Sequence, residues 1–192
     1  FILNKHKKYQ NLLILISSYI FYGWWDYRFL SLILLSTIVD YFIGIKIYNK
    51  VKLKERKILL WCSIIFNLSV LCFFKYFNFF IDSWIELFDY FGYQIKSIWT
   101  LKIILPVGIS FYTFQTMSYT IDIYRKKLKP TKDFISLASF ISFFPQLVAG
   151  PIERATNLLP QILKKRRFNY NQGVQGLRLI LWGMFKKVVI AD

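Results

Sequence analysis

The sequence predicts an all-α protein, a polytopic membrane helix bundle with re-entrant helices. Three observations carry this. The apolar residues come in long blocks: the chain is 56% hydrophobic and 20% aromatic over 192 residues, with a mean hydropathy of +0.40. A soluble domain is less apolar and less aromatic. Basic clusters alternate with the blocks. Finally, Pro and Gly interrupt two apolar stretches, 105–119 and 143–154, where neither residue suits a helix interior.

The first block, roughly residues 9–25, and the second, roughly 29–48, are each close to the ~20 residues that cross a hydrocarbon layer. Only DYR separates them, so a tight helical hairpin is expected. Trp24, Trp25 and Tyr27 sit at its tip, where amphipathic rings favour the interface. A basic loop, Lys46 to Lys57, leads to a third block from about Ile58 to Phe80. An aromatic, mildly acidic connection, 82–100, follows, and 101–124 returns through the membrane. After a second basic loop, Arg125 to Lys132, residues 134–149 are apolar again. An amphipathic stretch then ends in KKRR at 164–167, and the last segment, 173–190, is only moderately apolar.

Charge distribution chooses between meanings of the net +16, which comes from 26 Lys and Arg against 10 Asp and Glu. Three basic residues fall at 5–8, six at 46–57, five at 125–132 and eight from Arg154 onward, 22 of the 26. The alternation places the first three clusters on one side of a membrane, which the positive-inside bias makes cytoplasmic. Topology and attraction to anionic lipid account for these clusters, and nucleic acid is not an expected partner. Cys62 and Cys72 share one apolar block and lack metal-ligand spacing, so they read as core or lipid-facing residues. His6, in the run KHKK, reads as an exposed interfacial residue. No cleavable signal peptide is visible. The chain opens without Met and stops within an apolar pattern at FKKVVIAD, which reads as a stretch of a longer protein.

Residues 134–163 leave the basic side and must be back there by KKRR. Two crossings need about 40 residues, and only about 30 are present. A re-entrant hairpin fits, with its turn at Ala149-Gly150-Pro151: Gly tolerates unusual dihedrals and Pro starts a return helix. Glu153 and Arg154 then either face a cytoplasmic cavity, as ionisable groups at depth do, or lie at the interface and end the segment. In the other interrupted stretch, Pro106 and Gly108 loosen a helix start. Tyr112, Gln115 and Tyr119 follow on one face, with Ser118 adjoining. Polar groups in apolar surroundings need partners. Inter-helix hydrogen bonds account for any one of them, and the whole stripe points to a polar conduit. Asp40 and Asp122 are further in-membrane groups, with Lys46 and Arg125 as candidate partners. No phosphate loop, GxSxG, HExxH or CxxC is present. These residues alone fit a transporter or flippase component as well as an enzyme.

LPVGISFYTFQTMSYTIDIYR (105–125) followed by FFPQLVAGPIER (143–154) resembles the membrane-bound O-acyltransferase family, in particular its bacterial alginate O-acetyltransferase branch. SYIFYGWWDYRFL (18–30), FFKYFNFF (73–80) and WGMFKKVVIAD (182–192) resemble the same branch. The likeness covers nearly the whole chain, and the two long motifs together are specific. It implies one partial membrane domain, 1–192, the N-terminal half of a multi-pass enzyme of the bacterial cytoplasmic (inner) membrane. The reaction implied is transfer of an acyl group, usually acetyl, from acetyl-CoA or another acyl thioester to a hydroxyl of an exported polysaccharide. No cofactor or metal is resident, and acetylation partners on the periplasmic or extracellular side are implied. Helices that do not fully cross shape a cytoplasmic funnel. The family's catalytic histidine belongs to its later half and His6 matches nothing, so no catalytic residue is expected here and this stretch alone is expected to be inactive.

Pro106, Gly108, Ser110, Phe111, Tyr112, Gln115 and Tyr119 match the first motif. Phe144, Pro145, Gln146, Gly150, Pro151 and Arg154 match the second. The tunnel or donor-funnel candidates are Ser110, Tyr112, Gln115, Tyr119, Gln146, Glu153 and Arg154; the rest are architectural. Arg154 meets donor phosphates, a lipid phosphate or Glu153. Rival readings are D-alanyl transfer to teichoic acid from a carrier protein, and a non-enzymatic transport or scaffold protein. Because only Gly150 is asked for special dihedrals, Gly150→Leu is expected to lower the yield of folded full-length protein more than Ala149→Leu. Equal yields would remove the turn.

Overall fold

The computed structural model describes residues 7–91, 104–147 and 151–191, and every regular element among them is helical. Helix α1 (Lys7–Asp26) ends where Asp26 turns extended, at φ −159° and ψ 110°. The Asp26 carboxylate accepts from the Arg28 backbone N–H and pairs with the Arg28 guanidinium at 2.6 Å. A short 3₁₀ turn, Tyr27–Phe29, then leads into α2 (Leu30–Asn49). After α3 (Leu53–Tyr90) come α4 (Ile109–Tyr124), α5 (Phe134–Ile141), the single turn α6 (Phe144–Leu147) and α7 (Ala155–Leu163). Helix α8 (Tyr170–Phe185) continues as a π-helical turn, Lys186–Ala191, and buries no residue in this structure. Two stretches, 7–49 and Leu53–Tyr90, are long and apolar enough to cross a membrane.

The basic segments at the start of α1, between α2 and α3, after α4 and after α7 meet at one end of the bundle, the basal end. Lys7 approaches Asp133 at 3.9 Å. The Gln10 side chain donates to Arg166 O and accepts from Arg166 N. On α3, Arg56 donates to the Tyr124 carbonyl at 2.6 Å and lies over the Tyr124 ring. It therefore caps α4, where exposed carbonyls and the helix dipole favour a cation. The opposite, distal end carries Trp24, Trp25 and the entry to α4, where Tyr22 donates to the Val107 carbonyl at 2.9 Å.

Three sequence expectations change. The α1–α2 turn is short, but the arms splay and α5 sits between them. Asn11 donates to Ser136, Ser139 donates to the Asn11 carbonyl, and Tyr41 stacks edge-on against Phe134. Small α5 side chains permit that approach. Second, the acidic connection begins as helix: α3 runs 38 residues and includes Asp82, Glu86 and Asp89. Its length is about 57 Å at 1.5 Å per residue, well beyond a ~30 Å hydrocarbon layer. The acids recur at helical spacing, which keeps them on one side of the helix.

The third change is at Asp40, which is fully buried and does not pair with Lys46. Ser63 donates to Oδ1 at 2.6 Å and Asn67 to Oδ2 at 2.8 Å. Thr116 donates to Asn67 Oδ1, and Ser63 shares a hydrogen bond with Thr120. The cluster joins α2, α3 and α4. One turn toward the basal end Gly44 lets α2 and α4 close up, since a Cβ there would lie 2.9 Å from Tyr119. Asp40→Ala would strand two buried donors, each worth about 1–3 kcal/mol. Full-length protein in detergent should therefore show a lower unfolding midpoint for Asp40→Ala than for Asp40→Asn, which keeps an acceptor. Equal midpoints would mean that the cluster does not hold the three helices together.

Candidate functional site

The polar stripe of α4 is where the chain between Asp133 and Lys164 is fastened. Its hydroxyls are partly self-satisfied: Thr116, Ser118 and Thr120 each donate to the carbonyl three residues earlier, which makes them tolerable in apolar surroundings. The remaining capacity reaches outward. Gln115 Nε2 donates to the Phe140 carbonyl at 2.8 Å and to Gln146 Oε1 at 3.2 Å. Gln146 Nε2 donates in turn to the Pro151 carbonyl at 3.1 Å. Ser118 Oγ accepts from Ala155 N, and Tyr119 OH from Thr131 N.

These bonds set the path. Asp133 caps α5 with its carboxylate at the basal end. The chain runs through Phe140 and Phe144, whose N–H meets Ser18 Oγ, as far as Leu147, beside Gly108 at the distal end of α4. It returns from Ala155, level with Ser118, to Arg166, beside Gln10. The first arm therefore starts at the basal end and the second returns to it, as a re-entrant hairpin requires. The expected turn residues Ala149 and Gly150 lie outside the described residues. Leu147 can reach α4 because residue 108 is glycine. Gly108 has φ 74° and ψ 4°, and a Cβ there would lie 2.3 Å from the Leu147 carbonyl oxygen.

Between α6 and α7 the hairpin encloses a cleft of about 630 Å³ lined by Gln146, Glu153, Thr156, Asn157, Gln161 and Phe143. Two further internal bonds order it: Asn157 Nδ2 donates to Glu153 Oε2 at 3.4 Å and Gln161 Nε2 to the Asn157 carbonyl. The lining offers amides, a hydroxyl and one carboxylate, with no imidazole or thiol. Such a set suits a ligand rich in amides or hydroxyls. At the distal end a separate apolar cavity of about 960 Å³ lies among Ile20, Phe21, Tyr22, Trp25 and Phe144.

The sequence candidates divide accordingly. Gln146 and Glu153 line the cleft. Arg154, exposed, instead lines a small groove with Ser118, Asp122 and Arg125. No ion pair joins Glu153 to Arg154 among the described residues. Gln115 and Tyr119 are buried anchors, and Ser110 and Phe111 are half-buried. Tyr112 is fully buried with a hydroxyl that has no partner among the described residues. Pro106 is buried and its carbonyl accepts from Ile109 N, while Phe144, Pro145 and Pro151 are exposed. Thr156, Asn157 and Gln161 were not among the candidates. The signal for Asn157 and Gln161 is their four-residue spacing on one face of α7, and Glu153 reaches Asn157 from just before that helix. Pro160, inside α7, hides it by reading as a helix breaker.

No protein-family profile matches the chain, and no solved structure does. Curated relatives do. The chain is 39% identical over 188 residues to a probable alginate O-acetylase, AlgI, of Pseudomonas aeruginosa, covering 97% of this chain and 35% of that protein. The corresponding Azotobacter vinelandii protein is 37% identical over 186 residues, 96% of this chain and 37% of the relative. The chain is thus similar over nearly all of its length to alginate O-acetylases. A peptidoglycan O-acetyltransferase of Helicobacter pylori is also similar, 34% identical over 215 residues, 98% of this chain and 40% of the relative. The chain thus spans about two fifths or less of the length of these relatives. The resemblance carried by the two long motifs is borne out.

Gly108→Ala should lower the detergent-solubilised unfolding midpoint of the full-length protein well below that of Gly23→Ala. At Gly23 a new Cβ meets only the flexible Leu30 Cδ1 at 3.1 Å, and a helical Gly→Ala change itself contributes about 1 kcal/mol of stability. Similar midpoints would show that Leu147 does not rest on Gly108.

Proposed function

We propose that this chain is the N-terminal part of a membrane O-acyltransferase that moves an acetyl group from a cytoplasmic thioester to hydroxyls of an exported cell-envelope polysaccharide. The observation that carries the reading is likeness over almost the whole chain to O-acetylases named for two different polymers, alginate and peptidoglycan. What those names share is the acetyl group and a polysaccharide acceptor, so the polymer stays open while the reaction class does not. The same names favour acetyl over D-alanyl transfer, and an enzyme over a scaffold.

In this reading the basal end faces the cytoplasm of a bacterial inner membrane, as clustered Lys and Arg favour, and the protein is multi-pass. The cleft between α6 and α7 belongs to the donor-side funnel. Its amides and hydroxyl suit the amide-bearing arm of acetyl-CoA or a related acyl thioester. Glu153, Asn157 and Gln146 bind and orient. The general base that takes the acceptor hydroxyl's proton lies elsewhere in the full protein, and acetylation partners act on the far side.

The test is acetate released by alkali from the exported polymer of cells carrying the full-length protein or a deletion. Loss of released acetate in the deletion strain is expected, and unchanged acetate would overturn the reading. Asn157→Leu with Gln161→Leu, which removes two cleft amides at matched protein level, should reduce acetate by about tenfold, the loss of one or two hydrogen bonds. Unchanged acetate in that variant alone would remove the cleft from the donor path.

A further inference from the structure

We propose that the groove between α4 and the start of α7 is a headgroup site for an anionic phospholipid. The groove has a volume of about 240 Å³ and is lined by Ser118, Asp122, Arg125 and Arg154, with Phe114 and Ile121 beside them. It lies at the basal end, and both arginines are exposed. Asp122 is only 4% exposed, and its Oδ2 has no hydrogen-bond partner among the described residues. No ion pair joins it to either arginine among those residues.

A buried carboxylate oxygen without a donor is costly. The C-terminal end of α4 is already capped by Arg56, so the unmet group here is the Asp122 carboxylate. One ligand satisfies it: a phosphodiester taken by the two guanidiniums, carrying a hydroxyl or ammonium that donates to Asp122. Two arginines against one aspartate leave a net charge of +1, which matches a monoanionic phosphodiester. The apolar side of the groove separates a lipid from a soluble phosphate. Ile121, Met117 and Phe114 follow one another along α4 away from the charged end, and Phe114 is 43% exposed. That strip gives an acyl chain a track and gives a nucleotide or free phosphate nothing. The site is separate from the cleft because adjacent Glu153 and Arg154 face opposite sides of the α7 entrance, and it does not depend on the acyl-transfer reading.

The experiment is native mass spectrometry of the full-length protein in detergent with equimolar phosphatidylglycerol and phosphatidylcholine. Both lipids carry a phosphate, but the choline headgroup has no hydrogen-bond donor. Wild type is expected to retain phosphatidylglycerol preferentially. Arg125→Gln with Arg154→Gln should lower its retention about tenfold or more, the scale of one or two charge-assisted hydrogen bonds. Lys126→Gln with Lys127→Gln removes the same charge from the neighbouring exposed loop and should leave retention near wild type. Equal loss in the two double variants would reduce the effect to general attraction and overturn the site. So would unchanged retention in the arginine variant, or displacement of the lipid by coenzyme A with the same dependence on both arginines.

Discussion

The polar face of α4 is the constraint on which the rest of the structure depends. A helix this rich in hydroxyls and amides cannot sit alone in apolar surroundings, where each unsatisfied group costs about 1–3 kcal/mol. It therefore collects partners from every direction. Asn67 and Ser63 come from α3, the Phe140 carbonyl from α5 and Gln146 from α6. The Ala155 amide comes from α7 and the Thr131 amide from the preceding loop. A chain that enters and returns has many backbone groups to satisfy, and α4 supplies much of what it needs. Gln115 and Gln146 do most: two side-chain amides connect α4 with both arms of the hairpin.

Much of this was legible in the sequence, for identifiable reasons. Long apolar blocks and basic loops are dictated by the same physics that places them in space, so helix type, helix order and the shared basic end followed directly. The re-entrant path followed from simple length, since about 30 residues cannot cross twice. What the sequence hid were interactions between elements. Nothing local shows that Asp40 meets Ser63 and Asn67 instead of Lys46, because the choice depends on how closely α2 approaches α3 and α4. The splay of α1 from α2 was equally invisible, since it is set by small residues on α5. The extension of α3 to Tyr90 was misread for a different reason. Its acids signalled an exposed connection, and a helix that outruns the hydrocarbon is exposed too.

The two ionisable neighbours Glu153 and Arg154 show how position along a helix start decides chemistry. Adjacent residues on a helix do not face each other, and here α7 begins immediately after Arg154. The acid joins Asn157 in the cleft while the base joins Arg125 and Asp122 in the groove. An ion pair between them would have neutralised both and left neither for a ligand. Their separation gives the basal end two surfaces of different character, one of neutral amides with a carboxylate, the other cationic with an apolar margin.

If the chain is part of the proposed acyltransferase and the groove is the proposed lipid site, that division bears on how donor and lipid are kept apart. A coenzyme-A thioester is itself highly charged at its phosphates, and Arg125 and Arg154 without a lipid would attract it. If lipid occupies the groove, those guanidiniums are neutralised, and the neighbouring amide cleft is left to discriminate by hydrogen-bond geometry. Neutral amides bind by fit where bare cations bind any anion. An amide-lined entrance next to a lipid-filled cationic groove would therefore select the arm of the donor instead of its charge. It would also keep the basal surface attached to anionic lipid while the cleft stays open.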